Sequence, residues 1–254
     1  TTIMSSNNDR PPPPYAGIAL GITSQEWSQL GLGDDPTVAA SSDLDVTVER
    51  ITALLLIRIV AWIQPRGTFT DLSTITICRQ VLINQEEYWP SQMTPQVTQQ
   101  LQAFVKQIVS RYRTVPYHNA EHCYHVTISI NKLMDMIVSP CEEQSQEQQE
   151  QRRPYTFGFR DDPLMQFVLL FSALIHDVEH QGIPNRQLSI EEDELAILYN
   201  DMSIAEQHSL HVGFSTLLED DFTDLRAAMF SSNEEFLRFR KAVLNLVFNT
   251  DIAS

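Results

Sequence analysis

The sequence predicts an all-α fold, a compact bundle of several helices. Apolar residues recur every three to four positions along several segments, which is the period of an amphipathic helix. Residues that favour helix starts, including prolines, stand at the beginnings of these segments. No segment of useful length alternates apolar and polar residues as a half-buried strand does.

The composition allows one folded domain with a sizeable core. The chain has 254 residues, of which 43% are hydrophobic. Its formal net charge of -16 argues against a nucleic acid or an anionic membrane as partner, because like charges repel. Three irregularly spaced cysteines, Cys78, Cys123 and Cys141, do not form the pattern of a disulfide framework, which favours reduced thiols.

The chain shows no membrane span or secretory signal in its sequence. Apolar runs stay below the roughly 18 residues that a spanning helix needs, and the first residues lack a signal-peptide pattern. We therefore expect a location on the cytoplasmic side, with membrane tethering by regions outside this chain left open.

Two segments open the chain. Residues 1–43 are interpreted as a flexible tail or linker, because Pro11 to Pro14 favours polyproline II and the remainder has no sustained period. The folded domain is expected over residues 44–254. Its first helix, Asp45 to Trp62, is apolar on most faces and serves either core packing or partner binding.

Two amphipathic helices follow. Thr94 can cap a helix that begins at Pro95 and runs to about Tyr112. Its apolar stripe consists of Leu101, Phe104, Val105, Ile108 and Tyr112. A second helix has an apolar face that would anchor His122, made of Val126, Ile130, Leu133, Met134 and Ile137.

The middle of the chain combines a polar insertion with the most apolar helix. Glu142 to Arg153 contains no apolar residue and predicts a solvated loop. Asp162 and Pro163 then begin a helix whose segment Leu164 to Ile175 is apolar nearly all round, as a helix at the centre of a bundle should be. Gly182 and Pro184 are expected to end it.

Two capping-box patterns begin the last helices. They are Ser203-x-x-Glu206 and Ser232-x-x-Glu235. The final helix ends near Thr250, and its predicted buried face is Phe236, Phe239, Val243, Leu246 and Val247.

The histidines are clustered and indicate a metal site. All 7 lie between His118 and His211. Residues four apart share a helix face, which would pair His118 with His122 and His176 with His180. Asp177 lies beside the second pair. Imidazole suits zinc, whereas a carboxylate with bound water suits magnesium or manganese, so the set indicates two metals that share one carboxylate.

The ordered motifs of this region resemble those of a known enzyme family. Tyr117 to Val126 resembles the Y-H-N-x-x-H motif of class I 3′,5′-cyclic nucleotide phosphodiesterases, and His176 to Asn185 resembles their H-D-x-x-H-x-G-x-x-N motif. The resemblance is strongest over residues 93–254 and extends to the helical bundle of HD-type metal phosphohydrolases. Four further markers follow in the family's order: Glu194-Leu195-Ala196, Tyr199-Asn200-Asp201-x-Ser203, Glu206-x-His208 and Thr250-Asp251-Ile252.

The resemblance implies metal-dependent hydrolysis of a 3′,5′-cyclic nucleotide, cAMP or cGMP, to the 5′-nucleoside monophosphate in signal transduction. It implies a Zn²⁺ held by His122, His176 and Asp177, with Asp177 bridging to a Mg²⁺ or Mn²⁺. It implies that His118 donates a proton to the departing 3′ oxygen. The remaining roles are organisation of the hydrated second ion by His180, Glu206 and Thr250, and substrate contact by Tyr117, His118, His122 and Asp177.

Several neighbours have a structural interpretation instead. Glu206 can both cap its helix and accept a hydrogen bond from metal-bound water. His125 stands where the family often has Asp or Asn, and is interpreted as a structural or outer hydrogen-bonding substitution. The residues interpreted as structural, or as fixing a turn or a local hydrogen bond, are His208, His211, Tyr199, Asn200, Asp201 and Asn119.

The end of the chain raises a further expectation. The family's metal site is completed by an Asp beyond the last marker, and its purine pocket lies further on, whereas this chain ends at Ser254. We therefore expect the N-terminal two-thirds of a catalytic domain, inactive by itself, with the apolar faces of Leu164 to Ile175 and Phe236 to Val247 partly uncovered. The alternatives are a non-catalytic fragment or pseudoenzyme that binds partners, and an HD-type di-iron protein.

Overall fold

The computed structural model describes residues 44–65, 67–69, 72–83, 90–138, 156 and 158–252. Regular structure in these residues is helical, without strands, which confirms the all-α prediction. Short 3-10 turns cover Phe159–Asp161 and Asp220–Phe222. The α-helices are α1 Leu44–Ile63, α2 Thr74–Ile83, α3 Pro95–Ser110, α4 Ala120–Val138, α5 Pro163–Ile175, α6 Asn185–Ile190, α7 Glu194–Leu198, α8 Ile204–Leu217, α9 Thr223–Met229 and α10 Asn233–Phe248.

Some predictions fall outside these residues. The tail at 1–43, the polar insertion from Glu142 to Arg153 and the thiol of Cys141 are among the residues that the structure does not describe. Cys78 and Cys123 are buried, and neither takes part in a disulfide within the described residues. Within the described ranges, no helix combines the length and apolarity needed to cross a bilayer.

Helix α5 lies at the centre of the bundle and begins as the sequence predicts. The Asp162 carboxylate accepts a hydrogen bond from the Met165 amide, and Pro163 occupies the first turn. The helix packs against α1, α4 and α10. Since nearly all of Leu164 to Ile175 is buried, the expectation that this face is left uncovered is wrong.

Helix α5 ends earlier than the sequence predicts. Its last residue is Ile175, seven positions before Gly182. The chain then turns: the Val178 amide donates a hydrogen bond to the Ile175 carbonyl, and Glu179 has a positive φ of 62°. This local geometry is incompatible with a continued helix, so Gly182 and Pro184 do not define the end.

Helices α1 and α3 match their predictions. Every residue of α1 from Arg50 to Ala61 is buried, which confirms the core-packing interpretation. In α3, the Thr94 hydroxyl accepts from the Val97 amide. The predicted stripe of α3 is buried, and the Tyr112 hydroxyl beyond its end donates to the Leu174 carbonyl at 2.8 Å.

Helix α4 is rotated by about one residue relative to the prediction. Leu133 and Ile137, predicted to be buried, are 56% and 46% exposed. Two polar residues of α4 explain the rotation, because buried Asn131 and partly buried Asp135 both accept hydrogen bonds from Arg58. The residues that α4 buries are Cys123, Thr127, Asn131, Met134 and Val138.

Arg58 of α1 is fully buried and joins four helices. Burial lowers the pKa of its guanidinium, and the charge and hydrogen bond of Asp135 oppose that shift. A buried charge requires such partners, because desolvation is otherwise too costly. The acceptors are Leu72 O at 2.7 Å, Gln166 Oε1 at 2.9 Å, Thr74 Oγ1 at 2.8 Å, Asn131 Oδ1 at 2.9 Å and Asp135 Oδ1 at 3.0 Å.

The C-terminal helix confirms its predicted cap and face. The Ser232 hydroxyl accepts from the Glu235 amide at 3.2 Å, and the Glu235 carboxylate accepts from the Ser231 amide at 2.7 Å. The helix ends at Phe248. Phe239, Val243 and Val247 of this face are buried, whereas Phe236 and Leu246 pack against the core and are only partly buried, so the face is partly covered.

The capping box predicted for α8 does not form. Ser203 has a φ of 39° rather than extended backbone, and makes no side-chain cap. Its hydroxyl donates instead to Asp251 Oδ2 at 2.8 Å. The Asn185 side-chain oxygen takes over the cap by accepting from the Ala205 amide at 3.0 Å.

Removal of the buried guanidinium should strongly destabilise the fold. We predict that Arg58→Met lowers the free energy of unfolding by about 3–5 kcal/mol, because Asp135 and the other acceptors lose their buried cation. Lys106→Met, which breaks an ion pair with Asp45 at the surface, should cost below about 1 kcal/mol. Denaturant unfolding followed by circular dichroism measures the free energy of unfolding of both variants. Equal losses of stability in the two variants would contradict the role of Arg58.

Candidate metal centre

The first histidine cluster lies at the start of α4. The Asn119 side-chain oxygen accepts from the His122 amide at 3.0 Å, and its side-chain nitrogen donates to the Val115 carbonyl at 3.0 Å. Asn119 therefore caps the helix, in agreement with its predicted local hydrogen bonding. His118 precedes the helix, so the prediction that His118 and His122 share a helix face is wrong.

The second cluster lies in the turn after α5. Because the helix ends at Ile175, His176 and His180 do not share a helix face either, and this pairing is also wrong. The histidines pair across the two clusters instead. The His118 ring stacks on the His180 ring with centroids 3.8 Å apart, and the His122 and His176 centroids are 5.4 Å apart.

Three of the predicted ligands form one compact group. His176 Nε2 lies 2.9 Å from Asp177 Oδ2, and His122 Nε2 lies 3.3 Å from the same oxygen. The three side chains are only 12–16% exposed. Their ligand atoms all lie within 4.8 Å of one another, a spacing that could hold one metal ion.

Asp177 also belongs to a second group. This group consists of His118, Asp177 and His180. Each offers one ligand atom, and the three atoms again lie within 4.8 Å of one another. In the part of the chain that the structure describes, these two groups are the clusters with metal-binding geometry, and Asp177 is common to both. Asp177 is the residue for which the sequence predicts a bridging role, and that role stays a prediction.

The hydrogen bonds of His176 constrain what can lie between its ring and the Asp177 carboxylate. Nδ1 lies 3.0 Å from the Ala173 carbonyl, which can only accept, so Nδ1 carries a hydrogen. In the neutral ring Nε2 would then present a lone pair to the Asp177 carboxylate, which also only accepts. A proton or a metal ion between Nε2 and Oδ2 removes this repulsion.

The pKa values agree with that constraint. Burial by itself lowers the pKa of His176, but the hydrogen bond and charge of Asp177 outweigh burial and raise it. Burial by itself raises the pKa of Asp177, and the hydrogen bond and charge of His176 outweigh burial and lower it. The pKa of His122 is lowered by burial, against the attraction of Asp177. His122 thus favours the neutral form that binds metals.

In His180 the roles of the two ring nitrogens are reversed relative to His176. Its Nδ1 accepts a hydrogen bond from the Gly182 amide at 2.9 Å, so the neutral ring carries its hydrogen on Nε2. Burial and the charge of His118 lower the pKa of His180, which favours this neutral form. Such a ring can donate to a water or to a phosphate oxygen rather than bind a metal through Nε2.

Two residues predicted to act on the second ion lie in different surroundings. Glu206 accepts from the Asn185 side chain at 2.8 Å, and its charge contributes to the raised pKa of His176. The Thr250 hydroxyl, just beyond α10, donates to the Val247 carbonyl of that helix. The structure therefore brings Glu206 close to the candidate ligands, and its contacts do not join Thr250 to them.

Other predicted residues occupy the margin or the surface. The exposed ring of Tyr117 has its centroid 4.5 Å from that of His122. His125 and His211 are exposed on α4 and α8. Asn200 and Asp201 have positive φ values of 54° and 62°, in agreement with the turn predicted for them.

The sequence analysis did not assign the hydrogen bonds that Arg111, Glu179 and Asn185 make near the site. Glu179 binds both Arg111 and His208, and Asn185 links Glu206 to the start of α8. Arg111 and Glu179 are 68 residues apart, and no periodic pattern connects them. Asn185 belongs to the second motif, so the sequence identified the residue. It did not identify its two hydrogen-bond partners, Glu206 and the Ala205 amide.

Comparisons with known proteins agree with the motifs. A family model described as 3′5′-cyclic nucleotide phosphodiesterase matches residues 117–254, more than half of the chain. A probable 3′,5′-cyclic-AMP phosphodiesterase pde-4 of Caenorhabditis elegans is 34% identical over 153 residues, which are 60% of this chain and 20% of that protein. A 3′,5′-cyclic-AMP phosphodiesterase, isoform F, of Drosophila melanogaster is 31% identical over 188 residues, 74% of this chain and 25% of that protein.

A solved structure shares the fold. The phosphodiesterase domain of a RhoPDE fusion protein from the choanoflagellate Salpingoeca rosetta superposes with a TM-score of 0.51 at 21% identity. The match covers 85% of this chain and 51% of that domain. The chain thus spans about half of this solved domain, and 20–25% of the two curated relatives.

Metal binding should depend on pH through His176. A metal ion that binds between His176 and Asp177 must displace the proton that the raised pKa retains. We predict that the affinity for Zn²⁺ falls as the pH falls through this raised pKa, and that binding releases protons. Calorimetric titration in two buffers of different ionisation enthalpy measures both. An affinity independent of pH between about 5 and 8 would contradict the prediction.

Loss of the shared carboxylate should affect both groups. We predict that Asp177→Ala reduces the bound Zn²⁺ and the bound Mn²⁺ together, because Asp177 belongs to both. Asp224→Ala removes an exposed carboxylate of α9 and should leave both unchanged. Elemental analysis after dialysis tests the pair, and a loss of only one metal in Asp177→Ala would disprove the bridging role.

Proposed function

The chain belongs to the 3′,5′-cyclic nucleotide phosphodiesterase family, and we propose on that premise that the complete protein hydrolyses a 3′,5′-cyclic nucleotide, cAMP or cGMP, to the 5′-nucleoside monophosphate in signal transduction. The observation that carries the proposal is the position of Asp177, whose carboxylate is shared by two groups of metal-binding side chains. The relatives named above as cyclic-AMP phosphodiesterases support this choice of substrate class.

The two groups suit different metals. Two imidazole nitrogens and one carboxylate oxygen, from His122, His176 and Asp177, are donors that Zn²⁺ accepts. The second group has the same carboxylate but a His180 ring oriented to donate, which suits a hydrated Mg²⁺ or Mn²⁺. When bound, two such ions neutralise the phosphate and lower the pKa of a water that attacks phosphorus.

The proposed substrate is an anion, although the formal net charge of the chain is -16. The local charge of the site differs from this total. Around Asp177, the side chains of His118, His122, His176 and His180 meet one carboxylate, and bound cations would add positive charge where the phosphate lies. With those cations bound, the site would favour an anion locally.

His118 is proposed as the proton donor to the departing 3′ oxygen. It lies before α4, stacked on His180 and with its ring centroid 5.8 Å from that of His122. It is therefore a member of the second group, and it lies beside but outside the compact group of His122, His176 and Asp177. An imidazole is suited to proton transfer near neutral pH.

The other residues are proposed to order the second ion and the substrate. The Nε2–H of His180 can donate to a water of the hydrated ion, and Glu206 can accept from one. Thr250 is proposed to contribute its hydroxyl or carbonyl to that shell. Tyr117, at the exposed margin beside His122, is proposed to contact the nucleotide together with His118.

Substitution of the donor tests the mechanism. We predict that His118→Ala in the complete protein lowers kcat for cyclic nucleotides by ~10²–10⁴-fold, the range of general acid catalysis, and leaves the metal content nearly intact. A phosphodiester with a good leaving group needs little protonation and should lose much less. The control variant is His125→Ala, which removes an exposed histidine of α4 and should retain the wild-type rates.

Four outcomes would oppose this proposal. Equal loss on both substrates, or loss of metal, would make His118 a ligand or a structural residue. Absence of cyclic nucleotide hydrolysis by metal-loaded wild-type protein would favour a binding module. Iron as the bound metal would favour the di-iron alternative.

A further inference from the structure

The carboxylate of Glu179 lies between a guanidinium and an imidazole, beside the candidate metal ligands. Arg111 Nε donates to Oε1 at 2.7 Å, and His208 Nε2 lies 2.8 Å from Oε2. A carboxylate of this kind only accepts, so Nε2 of His208 carries a hydrogen. We call Arg111, Glu179 and His208 the Glu179 clamp.

The clamp connects the turn at residues 176–180 to two helices that carry none of the metal ligands. Arg111 follows the last residue of α3, and its Nη1 donates to Thr216 Oγ1 of α8 at 3.1 Å. His208 belongs to α8. The same helix holds the preceding residue of the turn, because the buried Ser209 hydroxyl donates to the Val178 carbonyl at 3.1 Å.

The backbone at Glu179 needs such support. Its φ of 62° lies in the left-handed region, which residues with a Cβ adopt at a cost and glycine adopts freely. This turn separates Asp177 from His180 and reverses the chain between them. As a result, the His180 ring reaches His118 while Asp177 faces His122 and His176.

We propose that the Glu179 clamp is a positioning unit for both metal groups. Its two charge-assisted hydrogen bonds hold the turn in the left-handed conformation, and so hold Asp177 and His180 at their places. Side chains that orient ligands in this way commonly change metal affinity or activity when they are substituted. The effect on catalysis rests on the proposed phosphodiesterase function, whereas the effect on metal binding does not.

Two substitutions at residue 179 separate the side chain from the backbone. Glu179→Gln keeps the shape but removes the negative charge and one of the two accepting oxygens, so neither Arg111 nor His208 keeps a charge-assisted hydrogen bond to a carboxylate. Glu179→Gly relieves the backbone and removes the clamp. If the clamp positions the ligands, both variants of the complete protein should bind Zn²⁺ and Mn²⁺ about 10–100-fold more weakly. Wild-type affinity in Glu179→Gly would show that only the backbone conformation matters, and would overturn the proposal.

Arg111→Met provides a second test through the partner. If Arg111 acts through Glu179, Arg111→Met and Glu179→Gln weaken metal binding through the same contact. The double variant should then lose less affinity than the sum of the two single losses. Fully additive losses would show that the two residues act independently, against the proposal. Lys106→Met removes a cation of the same helix from an exposed ion pair and should leave metal affinity unchanged.

Hydrolysis at two metal concentrations distinguishes positioning from general damage. For Arg111→Met, we expect a large loss of kcat at limiting Mn²⁺ and a recovery towards the wild-type value at saturating Mn²⁺. A loss that saturating metal does not reduce, accompanied by an altered unfolding curve, would indicate damage to the fold and overturn the proposal. Absence of hydrolysis by wild-type protein that binds metal would oppose the proposed function alone, because the affinity ratios still test the clamp.

Discussion

The buried charge of Arg58 constrains the arrangement of the helices that carry the site. A guanidinium in the core must be surrounded by acceptors, since an unpaired buried charge is far more costly than the packing it displaces. The acceptors come from α2, α4, α5 and the segment before α2. Asn131 and Asp135 can reach Arg58 only if α4 turns its polar side inward, and this requirement decides which face of α4 is buried.

The rotation of α4 has a consequence at its other end. The buried face that contains Asn131 passes through Cys123, next to His122. His122 therefore lies at the margin of the core, where its ring meets Asp177 and is still reached by solvent. A face centred on Leu133 and Ile137 would have turned the residues of the first motif differently. The same network that stabilises the bundle thus orients a proposed metal ligand.

Close packing of α8 on α5 completes the site. A Cβ on Gly213 would lie 2.8 Å from Ile175 Cδ1, so glycine permits this approach of the two helices. The approach brings Ser209 and His208 onto the turn that follows α5. Burial of α5 and the position of α8 therefore act together. The buried α5 places Asp177 at the end of an apolar helix, where charges interact strongly, and α8 stabilises the turn that follows α5.

The sequence by itself determined the helical class, the starts of α3, α5 and α10, and the identities of the candidate ligands. These follow from short-range signals, since caps, prolines and the spacing of motif residues need only neighbouring positions. Only the tertiary structure decided the rotation of α4, the end of α5 and the cap of α8 by Asn185. It also decided that His118 pairs with His180 and His122 with His176. The physical reason is that each of these features depends on a partner distant in sequence, such as Arg58 for α4 or Arg111 for Glu179, and no local pattern identifies that partner.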